Sequence, residues 1–399
     1  MHIPFSLRVL GLLTLSLGLL AACATSEPEA KQAEYSHVAT IEIDSSVTKA
    51  SLRKTHKADV VMFEPDLGIA VLGFTDKQAE LTTLSLDHNE SSFKVPELGV
   101  GRTSVEGWRV IIGGGRSEDI VKDNRALYNM LRLPKAHKLS KNQGEGITVA
   151  VIDTGIDLKH PMFKGRLASR SLWRDFVDDD RVPQEERGPA YGHGTGVAGL
   201  VLQVAPEATI LPIRIVSPEG SGTVLDLVGA IIHAYVAGAD IINISLGTDA
   251  DFGGILSVIN AATKREVKVI SSVGNTGKDD VTKPAEYASE DGLRHKLLGI
   301  ASIDMNLEPS DFSSYGESVS AAMPGNGIVS AYPDNRSATY RGTSFSAPLY
   351  AGALALAYSD MPVEARTDID GLTATFDVEG PDRTWSVLNV GELINQINR

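Results

Sequence analysis

The sequence predicts an α/β fold: a doubly wound, mainly parallel sheet with helices on both faces, preceded by a small α+β domain. After about residue 117, uninterrupted apolar runs alternate with helix-like segments, which is typical of a parallel sheet buried on both faces. Over 37–96 the apolar runs are shorter and more closely spaced. The chain has 399 residues, 42% apolar and 22% charged, and this ordinary globular composition allows two or three domains.

The N-terminal module, residues 37–96, has the pattern of a small βαββα(β) sandwich. The segment EPDLG at 64–68 is a turn signal between two of its strands. A Gly-rich stretch follows, and we expect the whole of 97–120 to be a linker. The strands are predicted at 37–43, 59–63 and 68–74, and the helices at 46–56 and 75–83.

The C-terminal domain, residues 121–399, carries the longer apolar runs. In a sheet of this class the active site lies beyond the carboxyl ends of the strands, so residues that directly follow a predicted strand are candidates for chemistry. The strands are predicted at 147–152, 209–216, 240–244 and 267–271, and the helices at 223–237, 252–264 and 349–358.

The chain has one cysteine, Cys23, which cannot form an internal disulfide or a multi-cysteine zinc site. It follows an uncharged apolar run at 9–20, which is too short to span a bilayer but suits the apolar core of a signal peptide. The sequence LAAC ending at this cysteine resembles the bacterial lipoprotein box. The resemblance implies that residues 1–22 are removed, that Cys23 is lipidated and that 23–36 is a polar tether. The alternative is a lone buried cysteine.

A lipidated N-terminus implies an exported protein that is anchored in the bacterial cell envelope, in the outer membrane if the host is Gram-negative. The charge agrees with this location: 37 Lys and Arg stand against 51 Asp and Glu, a formal net charge of -14. The acidic balance argues against nucleic acid as a partner, because phosphate binding needs clustered basic residues. The run Asp178-Asp179-Asp180 could bind structural Ca²⁺, but three adjacent acids are more often a solvated loop.

Three short motifs stand where the predicted sheet would place catalytic groups. The first, VIDTGID, puts Asp153 at the carboxyl end of a strand, and the second, GHGTGVAG, surrounds His193 with glycines. The third, RGTSFSAP, puts Ser344 near the start of an apolar helix, where backbone N–H groups favour negative charge. Taken alone, each has a simpler interpretation: a turn aspartate, a glycine-flanked histidine and a helix N-cap.

Together, in the order Asp…His…Ser, the motifs supply the orienting acid, the base and the nucleophile of hydroxyl catalysis. An α/β-hydrolase is excluded, because that fold needs G-x-S-x-G and the order Ser…Asp…His. The motifs resemble those of the subtilisin-like serine peptidases (subtilases), over roughly 140–358 and more weakly to 399. Four further segments resemble the same family: SLG at 245–247, SVGN at 272–275, FSSYG at 312–316 and AMPG at 322–325.

The resemblance implies a serine endopeptidase that forms an acyl-enzyme, acts on polypeptides, needs no cofactor for its chemistry and is a monomer. It assigns Asp153 to orient the imidazole, His193 as the general base and Ser344 as the nucleophile. The implied oxyanion donors are the Asn275 amide and the Ser344 backbone N–H. The residues implied to bind substrate are Ser245, Leu246, Gly247, Ser272 and Gly274, with Ser221-Gly222 as a second edge.

Two features depart from the family pattern. Gly196 replaces the second histidine common in the H-G-T-H motif, and because that histidine is not one of the three catalytic residues, we expect activity to survive with altered local packing. The segment 276–296 is longer and more charged than usual. This composition favours a solvated loop, with a surface flap that shapes specificity as the alternative.

The module at 37–96 stands where subtilases carry an inhibitory propeptide. The resemblance implies that it assists folding and occupies the cleft until the chain is cut within 95–120; the alternative is a permanent domain. Two other functions stay open: a dedicated leader-peptide processing peptidase, and an inactive subtilase fold that serves as an envelope binding protein. The complete set of Asp153, His193, Ser344 and Asn275 argues against the inactive form.

Overall fold

The computed structural model describes residues 37–44, 46–74, 91–94, 102–104, 109–116, 119–250, 253–366 and 374–398. The expected signal peptide, Cys23 and the tether lie outside the described residues, and so does the helix expected at 75–83. Within the described part of the chain, no helix is long and apolar enough to cross a membrane.

The N-terminal module is a four-stranded sheet in the order β2-β3-β1-β4 with one described helix, α1. A capping box starts the helix, because Thr48 accepts from the Ser51 N–H while the Ser51 hydroxyl accepts from the Thr48 N–H. Leu52 of this helix packs with Leu72 and Phe74 of the sheet. The elements are β1 (His37–Glu42), α1 (Lys49–His56), β2 (Asp59–Glu64), β3 (Ile69–Phe74) and β4 (Ser91–Lys94).

The C-terminal domain is built on a nine-stranded sheet, in which all neighbouring strands are parallel except the last pair at one edge. The mainly parallel α/β sheet that the sequence predicts is confirmed. Its order is β17-β18-β14-β13-β12-β11-β7-β9-β8. These strands are β7 (Thr148–Asp153), β8 (Arg174–Asp175), β9 (Thr209–Arg214), β11 (Ile241–Ile244), β12 (Lys268–Ser272), β13 (Leu297–Ile303), β14 (Val319–Pro324), β17 (Thr375–Glu379) and β18 (Thr384–Leu388).

Helices cover both faces of this sheet. On one face α5 packs against α8, and on the other α6 packs against α7, so that each pair encloses its own apolar core. Thr223 caps α6, because its hydroxyl accepts from the Asp226 N–H at 3.0 Å. The helices are α2 (Ile120–Asp123), α3 (Arg125–Met130), α4 (Leu133–Leu139), α5 (His193–Val204), α6 (Val224–Val236), α7 (Gly253–Thr263), α8 (Ala347–Ser359) and α9 (Val390–Ile397).

The segment between the module and the domain differs from the expected linker, because it contributes two strands. β5 (Arg102–Ser104) pairs antiparallel with β10 (Ser221–Thr223). β6 (Arg109–Arg116) includes the glycine run and pairs antiparallel with β16 (Arg336–Arg341), which in turn pairs with β15 (Asn326–Tyr332). The glycines favour a linker, but the continuous apolar run of Val110, Ile111 and Ile112 has high β propensity, and it forms a strand by pairing with β16.

The module rests on the outer face of α6 and α7. Ile69 and Val71 of β3 are buried in the same apolar core as these two helices. Met62 of β2 lies over Gly229, where a Cβ atom would come within 3.1 Å of the methionine methyl group. At the rim, the Arg265 guanidinium donates to the Asp66 carbonyl. The module therefore shares a core with the larger domain.

Candidate active site

The carboxyl ends of β7, β11 and β12 meet at one edge of the sheet, and three motif residues lie there. Asp153 is the last residue of β7, Ser245 directly follows β11, and Asn275 follows β12 after two residues. Because neighbouring parallel strands run in the same direction, their ends deliver these residues to one place although they are far apart in sequence. The helices α5 and α8 then bring the histidine and serine motifs to the same edge.

Asp153 and His193 form a buried hydrogen-bonded pair. The Oδ1 atom of Asp153 lies 2.7 Å from the Nδ1 atom of His193, and both side chains have no solvent exposure. The same Oδ1 accepts the Thr154 N–H at 2.7 Å. An aspartate that holds Nδ1 fixes the imidazole orientation and leaves the Nε2 edge to act on another group.

Glycines set the direction in which His193 enters the site. Gly192, directly before helix α5, has φ of 95°, a conformation that side chains rarely adopt. Gly194 lets the first turn of the helix approach the Gly155 carbonyl closely, where a Cβ atom would collide. The histidine motif is therefore glycine-rich for a steric reason, and His193 becomes the first residue of α5.

Ser344 lies in a 3₁₀ turn, Thr343–Phe345, directly before α8. Its carbonyl accepts from the buried Ser245 hydroxyl at 2.8 Å, which ties the serine motif to the end of β11. The ring of Phe345 lies 5.2 Å from the imidazole of His193, between ring centroids. The expected position near a helix N-terminus is therefore found, and the serine and histidine motifs are in contact.

Asn275 is held by the serine motif through its side-chain oxygen. Its Oδ1 accepts from the Thr343 N–H at 2.8 Å and lies 3.1 Å from the Thr343 hydroxyl. This anchoring turns the Nδ2 end of the amide away from Thr343. A fixed amide N–H beside the serine is the group that an oxyanion needs.

The expected substrate-binding residues lie at this edge, but some support the backbone and others border the space beside it. Ser245 and Ser272 have buried side chains, and Leu246 is 2% exposed, so these residues support the backbone and do not line an open surface. Gly247 and Gly274 both face Thr282: a Cβ on Gly274 would lie 3.4 Å from its hydroxyl, and one on Gly247 would collide with it. Thr282 therefore narrows the space between the two glycines, and no motif in the sequence marks it.

The position of Tyr340 explains why residue 196 is a glycine. A Cβ atom on Gly196 would lie 2.6 Å from Cζ of Tyr340, so the tyrosine ring occupies the space beside the glycine. The Tyr340 hydroxyl lies 2.7 Å from the Ala331 carbonyl oxygen and 2.9 Å from that of Gly192. The ring also stacks on Phe345 with centroids 4.5 Å apart. The altered packing expected at this position is therefore a tyrosine that supports both the histidine and the serine motifs.

The acidic run at 178–180 is engaged by arginines. Asp178 lies 2.6 Å from Nη1 of the buried Arg214, and Asp179 lies 2.5 Å from Nη2 of Arg174. Asp180 accepts the Val182 N–H at 2.7 Å. Carboxylates that are already neutralised by guanidinium groups are a poor donor set for Ca²⁺. Across the described residues, no three His, Cys, Asp or Glu side chains are grouped to hold a metal ion.

Comparisons with known proteins agree with the geometry. The model of the Subtilase family matches residues 144–375. Thermitase of Thermoactinomyces vulgaris is 34% identical over 236 residues, which are 57% of this chain and 79% of thermitase. The major intracellular serine protease of Bacillus subtilis is 31% identical over 251 residues, 58% of this chain and 77% of that protein.

Solved structures resemble this chain as well. A cold adapted subtilisin-like serine proteinase matches with a TM-score of 0.55 and 29% identity, over 62% of this chain and 90% of that one. The epidermin leader peptide processing serine protease from Staphylococcus aureus matches with a TM-score of 0.68 and 19% identity. That match covers 92% of this chain and 99% of the other, and at this identity it establishes a common fold.

Proposed function

This chain belongs to the subtilase family and is a serine endopeptidase, and we propose that it cuts peptide bonds through Asp153, His193 and Ser344 while anchored to the cell envelope. The observation that carries the proposal is the buried Asp153–His193 pair, 2.7 Å apart, at the sheet edge where the serine motif arrives. Every chemical step needs only protein groups and water, so we propose no cofactor for the reaction.

In the first half-reaction, Ser344 Oγ attacks the carbonyl carbon of the scissile bond while His193 Nε2 takes its proton. The C–N bond of the tetrahedral intermediate then breaks, and the imidazolium gives the proton to the leaving amine. In the second half, water attacks the carbonyl carbon of the acyl-enzyme while His193 takes a proton from the water. The ester C–O bond then breaks, and the imidazolium returns the proton to Ser344 Oγ. Asp153 stabilises the imidazolium in both halves and is not itself protonated.

The oxyanion of each tetrahedral intermediate needs donors that are in place before the reaction starts. We propose the Nδ2 amide of Asn275 and the backbone N–H of Ser344. Thr343 supports this assignment, because its N–H holds the Asn275 oxygen at 2.8 Å and so fixes the orientation of the amide.

We propose that polypeptide substrates add as a strand to β10. Within the described residues, β10 pairs only with β5 of the same chain, in the register Ser221↔Ser104 and Thr223↔Arg102. Main-chain pairing of this kind gives affinity with little sequence preference. The pairing of β5 supports the module as an inhibitory propeptide, because β5 then occupies an edge that a substrate would need.

The pairing of β5 and β6 reduces the interval in which self-cleavage is expected. Only residues 105–108 separate β5, on the β10 edge, from β6, which pairs with the strand that leads into Ser344. We propose that cleavage falls between Ser104 and Arg109. Purified wild type should show a new N-terminus in this interval by mass spectrometry, whereas Ser344→Ala should keep the uncut chain. Intact chains in both proteins, or the same cut in both, would rule out self-processing.

The proposed cleavage also decides whether the peptidase stays attached to the lipid anchor. If Cys23 is lipidated, cleavage between Ser104 and Arg109 separates the anchor from the peptidase, unless the module stays bound. The shared core supports retention, since burying Ile69 and Val71 stabilises the contact by about 1.5–3 kcal/mol each. Fatty-acid labelling in cells should mark the wild-type chain but not Cys23→Ala. The cut peptidase should then fractionate with membranes; recovery of the cut form only in the soluble fraction would contradict retention.

A dedicated processing role is the second candidate function. The likeness to a leader peptide processing protease extends over 92% of this chain, and therefore includes the N-terminal module as well as the peptidase domain. Thr282 also restricts the space between Gly247 and Gly274, two of the residues that we expect to bind substrate. Cleavage of a peptide library by the processed enzyme separates the two roles. A narrow profile supports a processing peptidase, and a broad one supports general degradation.

A further inference from the structure

We propose that Glu185 is a positioning residue that holds Asp153 and His193 in their catalytic arrangement, an inference that rests on the proposed function of that pair. Glu185 lies between the acidic run and the histidine motif, and no motif marks it in the sequence. Its side chain is buried, with the residue 4% exposed, and among the described residues it forms no ion pair with a basic group.

The two carboxyl oxygens of Glu185 contact both catalytic segments. Oε1 accepts from the Thr154 hydroxyl at 2.5 Å and from the Gly194 N–H at 3.2 Å. Oε2 contacts the Thr195 hydroxyl and lies 3.3 Å from the Thr195 N–H. One carboxyl group therefore joins the residue directly after the catalytic aspartate to the two residues directly after the catalytic histidine.

The threonines extend this bridge. The Thr154 hydroxyl accepts from the Gly194 N–H at 2.9 Å, which adds a direct bond between the end of β7 and the first turn of α5. The Thr195 hydroxyl accepts from the Asp157 N–H at 2.8 Å, so the loop after β7 is held at a second point. Glu185 lies at the centre of this set, and its removal would leave several buried polar groups without their partner.

Burial favours the neutral, protonated form of Glu185. Burial raises its pKa to about 8, the nearby Asp153 charge adds to the rise, and hydrogen bonds from Thr154 and Thr195 oppose it. The other titratable side chains near it are Asp153 and the tyrosines Tyr191, Tyr332 and Tyr340, and each tyrosine has a pKa raised above its usual value of 10, chiefly by burial. A neutral carboxyl offers one acceptor oxygen and one donor O–H, which a glutamine reproduces with its C=O and NH₂. The bridge therefore depends on shape and hydrogen bonding, without a negative charge.

Loss of the Glu185 bridge should lower the rate of the chemical step. Displacing a catalytic group by about 1 Å can lower the rate about 10²-fold. Because the described side-chain hydrogen bonds of Glu185 go to Thr154, Gly194 and Thr195, which adjoin the catalytic pair, its loss should lower kcat and leave KM nearly unchanged. This split separates a positioning residue from one that binds substrate.

The experiment compares Glu185→Ala, Glu185→Gln and the control Glu145→Ala, a change of an exposed glutamate in the same domain, at pH 7. Each processed enzyme is assayed for kcat and KM on a chromogenic peptide and for the rate at which a fluorophosphonate labels Ser344. Glu185→Ala should lose about 10²-fold in kcat and in labelling rate. Glu185→Gln should keep most of both, and Glu145→Ala should match wild type. Thermal unfolding of each variant identifies loss of fold.

Thr154→Val is the second variant, in case Glu185→Ala does not fold. It keeps the glutamate and removes one hydroxyl of the bridge, so kcat should fall with KM unchanged. The inference is overturned if Glu185→Ala has the kcat of wild type, or if Glu185→Gln is as slow as Glu185→Ala. A failure of the proposed function is distinct, because wild type itself would then be inactive and unlabelled.

Discussion

The role of a side chain in this site depends on which of its atoms already forms a hydrogen bond. Asp153 uses Oδ1 for both the imidazole and the next backbone N–H, and Asn275 uses its oxygen for the serine motif. The sequence predicted both residues from their motifs. It could not predict Glu185, Thr282 or Tyr340, because a buried acid, a threonine and a tyrosine acquire their roles only through residues that are distant along the chain.

Asn275 gives a prediction for transition-state stabilisation. Asn275→Leu removes the amide donor, and its loss should cost about 2.7–4 kcal/mol, which is about 10²–10³-fold in kcat, with KM little changed. The matched control is Asn306→Leu, since Asn306 is exposed and its described hydrogen bonds go to Asp304 within its own turn. Steady-state kinetics on a peptide substrate makes the comparison. A kcat equal to that of the control would mean that Asn275 is only a turn residue.

Glu185 gives a prediction for stability against pH. Its pKa rises from the usual 4.5 to about 8 in the folded protein, so folding takes up a proton between these values. The stabilisation from this group is complete below pH 4.5 and is lost progressively as the pH rises to about 8, by about 1.4 kcal/mol per pH unit at most. Denaturant unfolding of Ser344→Ala should show this slope, and the double variant with Glu185→Gln should lack it. Parallel curves would contradict the assignment.

At the scale of elements, the sheet brings the site together by aligning the ends of β7, β11 and β12. These strands were predicted because continuous apolar runs leave a clear signal when both faces are buried. The sequence did not predict β6, because its glycine run has the composition of a linker. Its strand conformation comes from pairing with β16, a partner more than 200 residues away that no local pattern specifies.

The end of β9 gives a prediction for the loop that precedes the histidine motif. Arg214 is 1% exposed and lies 2.9 Å from the buried Asp175, with Asp178 and Glu186 around it. Arg214→Met should destabilise the fold by about 3–5 kcal/mol, because a buried carboxylate loses its partner. The control is Arg187→Met, which breaks the exposed pair with Asp334 and should cost at most about 1 kcal/mol.

Both arginine variants are measured by denaturant unfolding in the Ser344→Ala background, which prevents self-digestion. Equal losses in the two variants would mean that the buried cluster contributes no more than a surface ion pair. A loss of stability confined to Arg214→Met would show that Arg214, at the end of β9, stabilises the loop that carries Glu185 and Glu186.

At the scale of the whole molecule, the chain joins a module that packs on α6 and α7 to a peptidase domain. The sequence was sufficient for the fold class and the family, because the three motifs occur in one order and the apolar runs are strong. It was insufficient for the course of the chain between module and domain. That course depends on two strand pairings at sheet edges, and edge pairing is a property of the folded molecule.

The central claim is that Ser344 is an activated nucleophile served by His193 and Asp153. The most direct measurement is the reaction of the processed protein with a fluorophosphonate, followed by peptide mass spectrometry. We expect one adduct per chain, located on Ser344, absent in Ser344→Ala and formed far more slowly in His193→Ala. An unlabelled wild type, or an adduct that forms at the same rate without His193, would contradict the account.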